Sequence, residues 1–233
     1  MMRVVIADGQ ALVRKGFVAL LNGLSNVHVV GEAATGEQAI AVTRTERPDI
    51  LLVEVVLPGM GGLEVTQRVT QHDNSPAVIA LTACSEPPFP AQMLKAGASG
   101  YLTKGVELNE LELALRRVFT GRRYVCNDIA QDLASYAYNE HMENPFAALS
   151  HREMQITLMV VGCQKVSEIS LNLHLSPKTV NSYRYRIFDK LNISSDVELA
   201  LMAVQHGMVS PLAKGPLAVT RVARPTNPIV NAG

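Results

Sequence analysis

The chain has 233 residues, of which 48% are hydrophobic and 18% charged, and its formal net charge is zero. This length predicts two modest domains with real cores, while the neutral charge excludes a general attraction to nucleic acid, so any DNA affinity needs a local patch. Three scattered cysteines argue against a disulfide framework, and no apolar run approaches the roughly 20 residues of a membrane helix. We therefore expect a cytoplasmic protein without membrane contact.

The first 120 residues alternate short apolar runs with stretches of helical period. Runs of strand length cover residues 3–7, 27–33, 50–55, 77–81 and 100–102. The first helical face between them consists of Val13, Phe17, Leu20, Leu21 and Leu24. Because parallel strands need crossover connections, this alternation predicts an α/β fold with a doubly wound, five-stranded parallel sheet.

Polar residues lie at or just beyond the carboxyl ends of four predicted strands. They are Asp8 with Gly9, Glu54, Thr82, and Thr103 with Lys104. Ligands in such sheets bind beyond the carboxyl ends of the strands, so these residues form a candidate pocket. An ordinary salt bridge between Asp8 and Lys104 is an equally simple interpretation.

Residues 121–147 are interpreted as a connector between domains, because the helical period weakens there and Pro145 ends the segment. The connector begins at 122–124 with a segment interpreted as a solvated turn, with a DNA contact by Arg122, Arg123 and Tyr124 as the alternative. It also contains a helix-permissive stretch from Asp128 to Tyr138. The predicted boundaries are therefore 1–120 for the first domain and 148–207 for the second.

Four short helices are predicted in the second domain. Ser150 with Glu153, and Ser195 with Glu198, have the spacing of capping boxes and open the first and last of these helices. The two middle helices, at 166–173 and 175–191, are separated by a tight turn and form a helix-turn-helix unit, and the last helix stops at Gly207.

The helix that Ser176 caps and Pro177 begins has two different faces. Val180, Ile187 and Leu191 predict a buried side. The opposite side carries Lys178, Asn181, Ser182, Tyr185 and Asp189, with Arg184, Arg186 and Lys190 as a cationic border. Amides and hydroxyls on such a helix can read base edges in the major groove while cations contact phosphates. From this stretch alone, a solvated surface helix is the alternative.

Several motifs in register identify the second domain. Leu-Ser-x-Arg-Glu at 149–153, Glu-Ile-Ser at 168–170, Leu-x-x-Ser-x-x-Thr-Val at 173–180 and Arg-Ile-x-x-Lys-Leu at 186–191 resemble the LuxR-type DNA-binding domain of NarL/FixJ response regulators. The resemblance implies that DNA is contacted by Lys178, Thr179, Asn181, Ser182, Tyr185 and Arg186. It also implies a dimer contact through Asp196, Val197, Ala200, Leu201 and Val204.

Residues 3–120 resemble the receiver domain of the same family, which has a flavodoxin-like fold. The resemblance is carried by Pro-Gly-Met-Gly-Gly-Leu-Glu at 58–64 and Ala-Gly-Ala-x-Gly-Tyr-Leu-Thr-Lys at 96–104. In the family, two acids after the first strand help to hold magnesium, and an aspartate ending the third strand accepts a phosphoryl group. In this chain Gly9 occupies the position of the second acid, and Glu54 occupies the position of the acceptor aspartate. Asp8, Thr82 and Lys104 have the residue types that the family pattern expects.

These departures imply that magnesium binds weakly or not at all, because the ion demands close carboxylates in octahedral geometry. No other cofactor is expected. Three interpretations of the pocket stay open. In the first, Glu54 pairs with Lys104, accepts from Thr82 and biases the receiver toward its active arrangement. In the second, the pocket is an inert scaffold. In the third, the receiver is phosphorylated despite the changes.

We therefore expect a sequence-specific transcription regulator that works without conventional aspartate phosphorylation. It is not expected to be an enzyme, since no Ser-His-Asp set, metal cluster or phosphate-cradling glycine loop occurs. Its expected partners are promoter double-stranded DNA and a second copy of itself, with a sensor kinase or another response regulator as further candidates. The alternative is an interaction protein that sequesters another regulator in mixed dimers. Residues 208–233 form a basic tail, expected to be flexible, with nonspecific phosphate contacts or no specific role.

Overall fold

The computed structural model describes residues 1–72, 74–83, 89–138, 145–206 and 208. Its first half is a parallel sheet covered by helices. The strands are β1 (Met2–Ala7), β2 (Val27–Ala33), β3 (Ile50–Val53), β4 (Ala77–Thr82), β5 (Gly100–Thr103) and β6 (Tyr124–Val125). The helices are α1 (Ala11–Asn22), α2 (Gly36–Glu46), α3 (Gly62–Thr70), α4 (Phe89–Lys95) and α5 (Leu108–Phe119).

The strand order is β2-β1-β3-β4-β5-β6, and every neighbouring pair is parallel. The strand order reverses at β1, which pairs with β2 on one side and β3 on the other. Ala7 lies opposite Val53 at the carboxyl ends of β1 and β3, so the residues that follow these strands become neighbours. The doubly wound fold is confirmed, although on α1 Leu21 is buried while Leu20 is 48% exposed.

Within the described residues, the sheet has six strands where five were expected. Tyr124 and Val125 pair with Gly100 and Tyr101 of β5, so the connector begins as an extension of the first domain. A two-residue strand has no apolar run to reveal it. The segment 122–124 is also no simple solvated turn, because the Tyr124 hydroxyl donates to Glu110 at 3.0 Å and its ring lies 5.6 Å from the Arg117 guanidinium.

Helix α6 (Asn127–Tyr138) continues the connector and matches the helix-permissive stretch. A short 3-10 helix (Pro145–Ala148) then leads into the second domain. That domain consists of α7 (His151–Val161), α8 (Val166–Leu173), α9 (Pro177–Leu191) and α10 (Asp196–Gln205). No helix in the described ranges is long and apolar enough to cross a membrane.

Side-chain hydrogen bonds cap the N-termini of α7, α9 and α10 at the serines that the sequence predicts. The Ser150 and Glu153 capping box at α7 is complete, and the Ser176 hydroxyl accepts from the Thr179 amide at 3.1 Å. At α10 the Ser195 hydroxyl accepts from the Glu198 amide at 3.2 Å. The Glu198 carboxylate, however, accepts from the Ser194 amide, one residue earlier than the expected capping box.

The turn between α8 and α9 is tight because Ser170 is small and polar. Its hydroxyl donates to the Leu175 carbonyl at 2.5 Å, and His174 adopts a left-handed conformation. The expected stop at Gly207 and nearly all of the expected tail lie outside the described residues. Met208, the first residue assigned to the tail, is buried, and its amide donates to Ala203 at 2.8 Å.

Candidate DNA-binding face and receiver pocket

The polar residues after β1, β3, β4 and β5 converge on one buried cluster. The Lys104 Nζ lies 2.6 Å from the Asp8 Oδ2 and 2.6 Å from the Glu54 Oε2. The Thr82 hydroxyl donates to the other oxygen of Glu54. Asp8, Glu54 and Thr82 are all buried. The contacts of Glu54 are those expected under the first interpretation of the pocket.

The charge of Lys104 is stabilised by its neighbours. Burial acts to lower its pKa, but the carboxylates of Glu54 and Asp8 outweigh this and raise the pKa above the usual lysine range. Lys104 is therefore a cation at neutral pH. Its ammonium group lies between the carboxylates of Asp8 and Glu54. The resemblance places carboxylates at these positions beside a divalent ion.

The position of the second acid is occupied by Gly9, which lies close to Pro58. A Cβ atom built on Gly9 would lie 2.6 Å from the Pro58 Cδ and 2.9 Å from its Cγ, so a larger residue at position 9 would require the backbone around Pro58 to shift. The proline ring is rigid and cannot swing aside as a long side chain would. One carboxylate expected from the family is therefore missing, and the Lys104 ammonium lies between the remaining two, an arrangement that does not favour a magnesium ion.

The loop after Glu54 connects this pocket to the second domain. The Val56 amide donates to the Glu54 Oε1 at 3.2 Å. Further along the loop, the Gln155 Nε2 of α7 donates to the Leu57 carbonyl at 2.7 Å. The Gly59 amide donates to the Asn172 carbonyl of α8 at 2.7 Å. We call residues 57–61 the docking loop.

Arg152 of α7 completes the contact between the domains. Its Nη1 donates to the Gly59 carbonyl at 2.5 Å, and its Nη2 donates to the Leu173 carbonyl at 2.9 Å. Arg152 therefore bridges the docking loop and the end of α8. Arg152 belongs to the family motif at 149–153, but the motif gave no sign of this contact.

The outer face of α9 is accessible. Val180, Ile187 and Leu191 are buried as predicted. Of the six residues expected to meet DNA, Lys178, Ser182, Tyr185 and Arg186 are exposed, whereas Thr179 and Asn181 are half-buried. Tyr185 is 72% exposed. The interdomain hydrogen bonds described above come from α7 and α8, so the receiver leaves this face open.

Two residues of the expected cationic border have other partners. The Lys190 Nζ lies 2.7 Å from the Glu153 Oε2 and 3.3 Å from the Ala148 carbonyl, so it ties α9 to the start of α7. Arg184 forms a bidentate ion pair with Asp196 of α10. Position on the helix surface did not reveal these pairs, because both acids belong to other helices.

The residues of α10 expected at a dimer contact fall into two groups. Val197 and Leu201 are 69% and 59% exposed, Val204 is 36% exposed, and Ala200 is half-buried beside them. Together they form an apolar stripe on the outside of α10. The Asp196 carboxylate, by contrast, is bound to Arg184 of the same chain.

Comparison with known proteins agrees with both halves of the structure. Residues 4–116 match the model of the response regulator receiver domain, and residues 147–203 match that of the bacterial regulatory proteins of the luxR family. Response regulator GacA of Pseudomonas protegens is 51% identical over 209 residues, which cover 90% of this chain and 98% of that protein. The chain belongs to the LuxR-type response regulators.

Other relatives extend the comparison. Response regulator UvrY of Escherichia coli K12 is 47% identical, with 89% of this chain and 96% of that protein covered. The structure of RcsB from Salmonella enterica serovar Typhimurium, bound to promoter rprA in the presence of phosphomimetic BeF3−, has a TM-score of 0.62 at 22% identity. That likeness covers 86% of this chain and 97% of RcsB and concerns the fold. The protein is thus a GacA-like DNA-binding response regulator of a two-component system, and the expectation that it is no enzyme is confirmed.

Proposed function

We propose that the protein binds specific promoter sequences through the outer face of α9, as a homodimer joined by the apolar stripe of α10. The observation that carries this proposal is the accessibility of the α9 face while the two domains are docked. Exposed amide, hydroxyl and cationic groups on a helix suit base and phosphate contacts in a major groove. The apolar stripe suits a second copy, because a twofold dimer uses the same patch on each subunit.

The DNA proposal is tested by measuring affinity for promoter fragments and for random DNA across a series of salt concentrations. We expect the protein to prefer its own promoters by about a thousandfold or more, with a preference that persists as salt weakens both affinities. Equal affinity for promoter and random DNA at every salt concentration would refute sequence-specific binding.

We further propose that the receiver works without conventional phosphorylation. The Glu54 carboxylate already engages Lys104 and Thr82, and it offers a single negative charge where a phosphoryl group would bring about −1.5 to −2. This supports a permanent bias toward one arrangement of the receiver. Gly9 supplies no metal ligand at the second acidic position, which disfavours phosphoryl transfer at this pocket.

Intact-mass measurement after treatment with acetyl phosphate and magnesium tests this second proposal. We expect no phosphoryl adduct on the wild-type chain, with a receiver that carries both acids and an acceptor aspartate as the positive control. An adduct that maps to Glu54 or Asp8 would overturn the proposal.

The exposed stripe of α10 also favours a second candidate function, in which the protein forms mixed dimers with another response regulator and thereby sequesters it. A double change of Asn181 and Arg186 to Ala separates the two functions in cells. Loss of the regulatory effect supports promoter binding, whereas an effect that survives without DNA contact supports sequestration.

A further inference from the structure

Arg184 of α9 has every one of its guanidinium nitrogens engaged. The Nε donates to the Asp196 Oδ1 at 3.1 Å, and the Nη2 donates to the Asp196 Oδ2. The Nη1 donates to the Asn181 Oδ1 at 2.9 Å. The ring of Phe188 lies 5.8 Å from the guanidinium carbon. A planar fork held on both sides in this way has little freedom to turn toward a DNA phosphate.

This arrangement determines which way the Asn181 amide faces. A guanidinium has only donors, so the atom that Asn181 presents to Arg184 has to be its carbonyl oxygen. The amide nitrogen therefore points away from Arg184. Among the described residues, no group accepts a hydrogen bond from that nitrogen, so its two N–H groups are available to a ligand.

The orientation has a consequence for the base that Asn181 contacts. Asparagine recognises adenine by accepting from N6 while donating to N7, which requires both its oxygen and its nitrogen at the base edge. Here the oxygen is turned toward Arg184. An asparagine that presents mainly its nitrogen favours acceptor edges, such as N7 and O6 of guanine or O4 of thymine.

We propose that Arg184 and Asp196 are positioning residues, which hold the Asn181 amide so that it reads a hydrogen-bond acceptor on one base pair. This inference rests on the proposed DNA contact by α9. It replaces the two roles assigned from sequence, a phosphate contact for Arg184 and a dimer contact for Asp196. It also links the first residue of α10 to the DNA face of α9 within one chain.

The test is a binding-site selection from randomised DNA with the full-length chain, combined with a salt series on the selected site. The variants are Asn181→Ala, Arg184→Met and Asp196→Asn, and Lys178→Ala serves as the example of an ordinary phosphate contact. Asp196→Asn keeps the size of the side chain and removes its charge, so it weakens the ion pair with the smallest risk to the fold. An unfolding midpoint for each variant identifies any variant that is not folded at the assay temperature.

We expect the wild type to select guanine or thymine at one position. In Asn181→Ala, the selectivity for that base over the others should be roughly tenfold weaker. Arg184→Met and Asp196→Asn should relax the preference at the same position and leave the salt dependence unchanged. Lys178→Ala should instead weaken binding to all sequences evenly and reduce the salt slope by about one.

Two results would overturn the inference while leaving promoter binding intact. One is an even loss of affinity with a smaller salt slope in Arg184→Met, which would make Arg184 a phosphate contact. The other is a strict adenine preference at the position that depends on Asn181. If the wild type selects no sequence at all, the proposed function itself fails.

Discussion

Glu54 occupies the acceptor position of the receiver with both of its oxygens engaged, one by Thr82 and one by Lys104. Buried ion pairs give modest net stability, but removing one partner leaves the other with an uncompensated charge. Lys104 retains Asp8 when the charge of Glu54 is removed, so the expected cost lies below that of an isolated pair.

Glu54→Gln should lower the free energy of unfolding by about 1–3 kcal/mol, because Lys104 and Thr82 lose a charged acceptor. Urea unfolding followed by circular dichroism measures the change. Glu64→Gln is the matched control, since Glu64 pairs with Arg68 on the surface of α3 and its loss should cost less than about 0.5 kcal/mol. Equal effects of the two changes would contradict the buried network.

The same variant separates the first two interpretations of the pocket. If Glu54 biases the receiver, Glu54→Gln should weaken dimerisation and DNA binding at temperatures where the protein remains folded. Unchanged values of both would leave the pocket a scaffold.

At the scale of the elements, α7 and α9 are joined by a carboxylate that also caps a helix. Glu153 is 3% exposed, closes the capping box with Ser150 and pairs with Lys190 of α9. Burial acts to raise the pKa of Glu153, but hydrogen bonds from Lys190 and Ser150 outweigh it and hold the pKa below the usual glutamate range.

This lowered pKa predicts an acid sensitivity of the second domain. Because the folded state holds the ionised form, Glu153 stabilises the fold fully above its unfolded pKa of about 4.5, and this contribution is lost as pH falls through the lowered folded pKa. Thermal unfolding of the wild type should therefore move to lower temperature between about pH 5 and 3. Glu153→Gln should unfold at a lower temperature than the wild type at pH 5, and its unfolding temperature should fall less steeply toward pH 3. If both proteins lost stability in parallel, Glu153 would not be the source of the acid sensitivity.

Much of this element structure could be predicted because its signals are local. Ser150, Ser176 and Ser195 begin helices through bonds to residues three positions away, and the buried side of α9 follows from its period. β6 could not be predicted, because Tyr124 and Val125 form a strand only through pairing with β5. The pair between Arg184 and Asp196 was missed for a similar reason, since it depends on how α9 and α10 cross.

At the scale of the whole molecule, the docking loop joins the receiver pocket to the DNA-binding domain. Its bonds use the backbone groups of Leu57 and Gly59, which carry no side-chain signature and lie about a hundred positions from their partners. Sequence patterns could place Glu54 at the end of β3 and Arg152 in a family motif. They could not show that the docking loop and Arg152 are in contact.

Gln155→Ala should weaken this docking, because it removes the donor to the Leu57 carbonyl and the acceptor beside Arg152. Leaving a buried carbonyl without a donor costs about 1–3 kcal/mol. We expect a larger radius of gyration in small-angle X-ray scattering. Gln71→Ala, on the exposed end of α3, is the control and should not change the dimensions. Unchanged dimensions in both variants would show that other contacts hold the domains.

The proline ring that faces Gly9 also constrains the evolutionary history of the receiver. A mutation that restored an acid at position 9 would push against Pro58, whose neighbour Gly59 bonds to the second domain through both its amide and its carbonyl. A return to two acids would therefore need adjustments in the docking loop as well as at position 9, so the pocket and the contact between the domains would have to change together.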